Sequence, residues 1–286
     1  MTLAYKSFGE GTPALFVHGW QLNNDYDIAD FEPIFAHAPG YRRVYIDLPG
    51  MGATPADASI VDLQSMHDKV VAFIDQHISP DKFLLVGTSA GGYIARALAT
   101  HFESQLLGVH LKVPLIEPEN SRRDLDVAKP ILEDEAVVRL ALGDQSPSLG
   151  QILVQTPAYI RSLLAKMTAT VFPADAMADH EALDPIRNDS QRYSLDLIQK
   201  RREIVFSKPA LIITGRHDDV VGYRDSLRLL EVYPRATFVV LDRGIHLLPV
   251  DEGNLVQSLV LDWLRRVEEL SKGELVSARV QSMDAR

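Results

Sequence analysis

The sequence predicts an α/β fold, a mostly parallel sheet covered on both faces by helices. Three observations carry that expectation. Short, continuous apolar runs alternate with helical stretches in both the first and the last third of the chain. The runs close in loops rich in Gly, Pro and polar residues, as strands buried on both faces do. Between about 116 and 202 the alternation stops, and a charged, helical stretch intervenes before strands resume. With 286 residues, 46% hydrophobic and 24% charged, the chain is long enough for one large core carrying an insertion.

In order, Thr2 to Phe8 reads as an edge strand and Gly9 to Pro13 as a turn. Ala14 to Val17 is a buried strand ending in His18-Gly19-Trp20. Gln21 to Asp27 reads as a loop, and Ile28, Phe31, Ile34 and Phe35 as a short helix. Arg43 to Ile46 is a strand ending in Asp47-Leu48-Pro49-Gly50-Met51-Gly52. Leu63, Met66, Val70, Phe73, Ile74 and Ile78 line one face of a helix from about Asp62 to Ile78. Phe83 to Val86 and Leu106 to Val113 are further strands. In the inserted stretch Ile131 to Leu142, Ile160 to Met167 and roughly Ala174 to Ile186 read as helices. The strands at Ala210 to Ile213 and Thr237 to Leu241 follow, with a helix from Tyr223 to Val232 between them. The last helix spans about Leu255 to Leu270. This gives a core of 1–116 and 203–275, a helical cap at 117–202 and a flexible polar tail at 276–286.

The most informative stretch is Phe83 to Leu98. An apolar strand runs into Gly87-Thr88-Ser89-Ala90-Gly91, which fits G-x-S-x-G, and a small-residue helix follows. Strand, sharp turn and helix are the context of a nucleophile elbow. Small residues two positions either side of the serine let strand and helix approach, and the first helical turn offers free N–H groups beside Ser89. A serine hydroxyl needs a base to take its proton and an acid to orient that base. The strand ends supply both, in the order Ser89, Asp218, His246.

Among nine histidines, His246 alone sits in a loop between the last strand and the last helix. His67 and His77 fall on a helix, His37 and His101 near helix ends, and His110 inside a strand as a core histidine. His18 organises the loop after its strand, and His217 neighbours the acid. Asp218 is preferred over Asp219, which is read instead as a cap for the following helix; Asp242 lies too near His246 in sequence. An oxyanion hole needs two backbone donors, and Trp20 and Ala90 N–H fit. His217-Asp218-Asp219 makes no metal site, because adjacent side chains cannot converge on one ion. Gly50-Met51-Gly52 lacks the Lys-Ser/Thr of a phosphate loop. Arg122-Arg123 and Arg201-Arg202 read as solvated.

On His18-Gly19-Trp20, Asp47 to Gly52, Gly87 to Gly92, Gly215-Arg216-His217-Asp218 and His246, the chain resembles the capped α/β-hydrolase superfamily, in its serine esterase branch. The resemblance implies about eight strands flanked by helices, a helical cap before the acid-bearing strand, no cofactor and no metal. It implies Ser89, Asp218 and His246 as the triad, and the loop at Trp20 as the source of the first oxyanion donor. Two departures stand out. Ile245, not glycine, precedes His246, which narrows the pocket, and Ala90 is small where a larger residue is frequent, which opens space beside the nucleophile.

The function expected is hydrolysis of a small, mostly apolar ester or related acyl substrate through an acyl-enzyme. The alternatives are a hydrolase of carbon–carbon bonds in dienoic keto acids, which wants cationic groups in its pocket, a receptor-like protein of low turnover, and perhydrolysis as a side reaction. A formal charge of −10 without a basic stripe speaks against nucleic acid, and no apolar run approaches a membrane span. No cysteine is present, which excludes disulfides and a Cys nucleophile. The first residues lack the pattern of a signal peptide, so a cytoplasmic protein acting on a small molecule is expected.

Overall fold

The computed structural model describes residues 2–127, 129–142 and 152–284, those beyond 273 as backbone only. Seven strands form one sheet: β1 (Tyr5–Phe8), β2 (Thr12–Val17), β3 (Tyr41–Ile46), β4 (Phe83–Thr88), β5 (Leu106–Lys112), β6 (Ala210–Gly215) and β7 (Ala236–Leu241). Their order is β1-β3-β2-β4-β5-β6-β7, with β1 antiparallel to β3 and every other pair parallel. This is the α/β-hydrolase architecture expected, close to its implied strand count. The central strands are buried on both faces, which is why they read as continuous apolar runs rather than alternating ones.

The direction of winding reverses at β2. The crossovers β2 to β3 and β3 to β4 run in opposite directions, so right-handed connections put their helices on opposite faces. These are α1 (Asn24–Phe35), which packs against α10 (Gly253–Asp284), and α2 (Leu63–His77), which packs against α3 (Ala90–His101). A crevice opens at the carboxyl ends of the strands beside such a switch point. Helix α1 starts earlier than its apolar residues suggest, because the Asn23 side chain caps it by accepting from Asp25 N–H. The polar stretch read as a loop is therefore partly helix.

The insertion holds α4 (Glu135–Leu142), α5 (Pro157–Lys166), α6 (Phe172–Met177), α7 (His180–Arg187) and α8 (Asp196–Gln199). The helix expected from Ile131 begins only at Glu135, because Ile131 N–H bonds Leu153 C=O and Leu132 bridges to Val154. The helix expected over Ala174 to Ile186 is two. Ala178 is extended, and Asp179 caps a new start by accepting from Ala182 N–H at 3.1 Å. The helix expected from Tyr223 shrinks to a 3₁₀ turn at Asp225–Arg228 followed by α9 (Leu229–Val232). Helix α10 carries on past Leu270, with helical backbone to Asp284.

Ile152, Leu153, Val154, Tyr159, Ile160 and Leu163 make a small second core, which packs on Ile245, Leu247 and Val250. The insertion thus sits on the loop that carries His246. No helix among the described residues is long and apolar enough to cross a membrane.

His110 lies in β5 between the rings of Phe31 and Trp263, with Nδ1–H donated to Leu211 C=O at 3.0 Å. Burial, partly opposed by that hydrogen bond, lowers its pKa to about 4. An unfolded histidine titrates near 6.5, so between those values the unfolded chain binds a proton the native one refuses. Stability is expected to fall as pH drops through that window, by up to about 3 kcal/mol from this group. His110→Asn keeps a donor at the Nδ1 position for Leu211 without titrating. Its melting temperature should fall less steeply from neutral to mildly acid pH than that of the wild type; an unchanged slope refutes the assignment.

Candidate active site

The elbow is built by close approach. A Cβ on Gly91 would lie 2.0 Å from the Val17 carbonyl oxygen, and one on Gly87 would lie 2.6 Å from that of Gly91. Only glycine lets β4 and α3 come together here. Ser89 between them has φ 54° and ψ −117°, a sparsely populated conformation costing about 1–3 kcal/mol. The neighbours hold it there. Ser89 N–H donates to Lys112 C=O at 3.0 Å, and its own C=O accepts from Leu115 N–H at 2.9 Å.

The structure brings Ser89, His246 and Asp218 together from three separate loops. Ser89 Oγ donates to His246 Nε2 at 3.0 Å. His246 Nδ1–H donates to Asp218 Oδ2 at 2.9 Å. The other carboxylate oxygen, Oδ1, accepts from Val220 and Val221 N–H, both at 2.9 Å. Burial pushes the Asp218 carboxyl up, but His246 and the two backbone donors outweigh it and hold the group below the usual carboxylate range. Asp219 and Asp242 are exposed, and Asp219 does not cap a helix, since the next helical turn begins at Asp225 behind Gly222.

The glycine displaced from the position before His246 has a use where it stands. Gly244 and Gly215 touch: a Cβ on Gly215 would lie 2.5 Å from Gly244 C=O, which accepts from His217 N–H at 2.9 Å. That contact brings the acid loop and the His loop side by side. Ile245 turns toward the insertion's small core. Ala90 is wholly buried in the main core.

The loop after β2 lies against Ser89, since a Cβ on Gly19 would be 3.1 Å from Ser89 Cβ. His18 fixes that loop as expected. Its Nδ1–H donates to Gly19 C=O at 2.7 Å, and its Nε2 accepts from Leu48 N–H at 3.0 Å. Burial lowers its pKa despite the opposing pull of Asp47, so the ring stays neutral. Asp47 in turn accepts from Asn24 N–H at 2.7 Å and Ala53 N–H at 2.9 Å, locking the loop after β3 to α1. Trp20 follows Gly19 in this loop, and Ala90 opens α3 directly after Ser89. The Trp20 ring stands edge-on to Tyr193 of the insertion at 4.9 Å.

Arg123 is not solvated; its guanidinium donates to the carbonyls of Glu117, Val220 and Pro118. Arg122, Arg201 and Arg202 are exposed. Sequence reasoning also passed over Asp27, Asp30, Lys112 and Lys166, which form a buried charge cluster behind the elbow. The signal was a lone lysine in the apolar strand Leu106 to Val113. Among the described residues no cluster of three or more His, Cys, Asp or Glu is placed to hold a metal ion.

Comparison with known proteins agrees with this architecture. The pimeloyl-[acyl-carrier protein] methyl ester esterase of Legionella pneumophila (strain Corby) is 25% identical over 86% of this chain and 92% of its own. Monoacylglycerol lipase ABHD6 of Bos taurus is 22% identical over 91% of this chain and 77% of its own. Among solved structures, an alpha/beta superfamily hydrolase from Oenococcus oeni PSU-1 superposes with a TM-score of 0.81 at 27% identity, covering 93% of this chain and 97% of that one. An esterase from Thermogutta terrifontis gives a TM-score of 0.63 at 20% identity over 93% of each chain, a likeness of fold. The model of the alpha/beta hydrolase family matches residues 14–256, from the strand that leads into the His18 loop to the start of the last helix, and the chain belongs to that family.

Proposed function

We propose that the protein is a serine carboxylesterase acting on a small, mostly apolar ester, with the helical insertion as the cap over its site. The observation that carries this reading is the unbroken hydrogen-bond chain from Ser89 through His246 to Asp218, at 3.0 and 2.9 Å. Ser89 Oγ attacks the ester carbonyl as His246 Nε2 takes its proton. Asp218 fixes the tautomer with the proton on Nδ1 and stabilises the imidazolium that forms. Trp20 and Ala90 N–H receive the developing oxyanion, each donor being worth about 10²–10³ in rate. His246 then protonates the departing alkoxide. It next takes a proton from water, which attacks the acyl-enzyme; as the acyl–Oγ bond breaks, His246 returns that proton to Ser89 Oγ and the carboxylic acid leaves.

Three further points support an ester. The family relatives include an esterase and a lipase. Of the insertion's arginines, Arg123 is spent on backbone carbonyls, Arg187 donates to Asn120 and lies over the Tyr193 ring, and the others are exposed, so none is free in a closed site for a keto-acid carboxylate. The apolar residues beside His246 suit an uncharged substrate. Treatment with a fluorophosphonate should give one phosphonylated peptide, carrying Ser89, with loss of p-nitrophenyl butyrate turnover in step with labelling. Absence of label, label on another residue, or full turnover in the labelled protein rules the proposal out.

A further inference from the structure

Directly behind the elbow four charged side chains meet, Asp27 and Lys112 fully buried, Asp30 and Lys166 with about a tenth of the side chain exposed. Asp27 and Asp30 lie one turn apart on α1 and meet Lys112, the last residue of β5, and Lys166, the last residue of α5. The Lys112 side chain is wholly buried; its ammonium pairs with Asp30 and lies 3.8 Å from Asp27. Lys166 Nζ donates to the two oxygens of Asp30 at 2.7 and 2.9 Å, and to the carbonyls of Pro249 and Leu248 at 3.2 and 3.4 Å. The two ammonium groups lie over the Tyr26 ring, 4.6 and 4.8 Å from its centre. Asp27 accepts from Thr88 Oγ1–H at 2.8 Å.

Stability does not explain such a cluster, because apolar residues of similar volume commonly serve a core as well or better. Its placement does. Thr88 precedes the nucleophile, and the Lys112 carbonyl receives the Ser89 N–H. Leu248 and Pro249 come just after His246, and Lys166 lies in an insertion helix that runs on from α5 through a π-helical turn at Met167–Val171 into α6. One set of charges therefore ties the elbow, the His loop and the insertion together.

We propose that Lys166 is a positioning residue, which through Asp30 and the Leu248 and Pro249 carbonyls holds the His246 loop and α5 against the elbow and keeps His246 Nε2 on Ser89 Oγ. This rests on the triad reading above. Burial lowers the Lys166 pKa to about 8, against the pull of Asp30 and with the push of Lys112. The charged groups facing it are Asp27 and Asp30 on α1 and Lys112 on β5. Tyr26, raised by burial, stays neutral beside them. On losing its proton Lys166 gives up the ion pair, leaves Asp30 to Lys112 and slackens its hold on the loop. The fold does not weaken with it. An unfolded lysine titrates near 10.4, so between the two values the unfolded chain binds more protons and this group's contribution to stability rises with pH. Turnover is expected to fall above about pH 8 while the melting temperature, as far as this group governs it, does not.

The test is kcat and KM for p-nitrophenyl butyrate across that range, in wild type, Ser89→Ala, Lys166→Met and Lys166→Arg. Lys166→Met should lower kcat about 10- to 100-fold with KM within about threefold, as a slight misplacement of a catalytic group does. Lys166→Arg, which cannot lose its proton, should keep measurable turnover at neutral pH and lose the alkaline fall. Should Lys166→Met not fold, Asp30→Asn combined with Lys166→Met removes one charge of each sign and should show the same kcat loss. A kcat within about twofold of wild type in a folded variant lacking Lys166, or an alkaline fall unchanged in Lys166→Arg, overturns the proposal. Surviving turnover in Ser89→Ala would instead remove the triad reading, and this proposal with it.

Discussion

Ser89→Ala is expected to lower kcat by about 10⁶-fold for an ester substrate and to leave KM nearly unchanged. In the proposed triad the serine and its base act as a unit. Without Oγ the Nε2 of His246 has no proton to take, and Asp218 orients an imidazole with nothing to activate. Water can still react in the site, assisted by the oxyanion donors and by binding, which leaves roughly 10³–10⁴-fold catalysis over the uncatalysed rate. Alanine suits the elbow sterically, because the neighbouring glycines make the room and the backbone bonds at Ser89 do not involve its side chain. The melting temperature should therefore hold, and the loss can be read as chemistry. The measurement is kcat at matched folded concentration. A loss smaller than about tenfold would mean that Ser89 is not the nucleophile.

What could be read from the sequence follows the range of the interactions involved. The elbow is local. An apolar run, small residues two before and two after Ser89 and a helix all lie within Phe83 to Leu98, and each is there because backbones touch at that place. His246 and Asp218 were legible through a second regularity, since loops at the carboxyl ends of parallel strands converge. The break at Ala178 was not seen, although Asp179 three residues before Ala182 is an ordinary capping signal, because apolar spacing continues across it. The buried charges were hidden for a different reason. Asp30 meets Lys112 across 82 positions and Lys166 across 136, and neither helix pattern reveals which side chain faces the partner. The Ile245 departure was readable as a fact, but its consequence depends on a small core whose members come from the insertion.

Asp218→Asn is expected to lower kcat about 10⁴-fold, and Asp219→Asn to leave it within about twofold. Adjacent aspartates are equivalent in the sequence; the structure separates them by the Val220 and Val221 N–H groups, which draw the Asp218 carboxylate inward while Asp219 stays exposed. Those two donors also decide what asparagine does. The amide oxygen must occupy the Oδ1 position, because the reverse orientation would set its NH₂ against two N–H groups. The NH₂ then faces His246 and donates to Nδ1, so the ring proton moves to Nε2. Nε2 can no longer accept from Ser89, and the nucleophile loses its base although every atom of the triad keeps its place. The lost charge adds to this, since no carboxylate remains to stabilise the imidazolium. Asp218 also contributes stability. Its folded pKa is depressed, so that contribution is present above an unfolded value near 3.9, and is lost as pH falls through the folded one. The asparagine variant should therefore melt lower at neutral pH and lose less on acidification. Phosphonylation of Ser89 should slow in parallel with kcat, because it uses the same base. A comparable fall in Asp219→Asn, or one confined to it, would move the acid of the triad to Asp219.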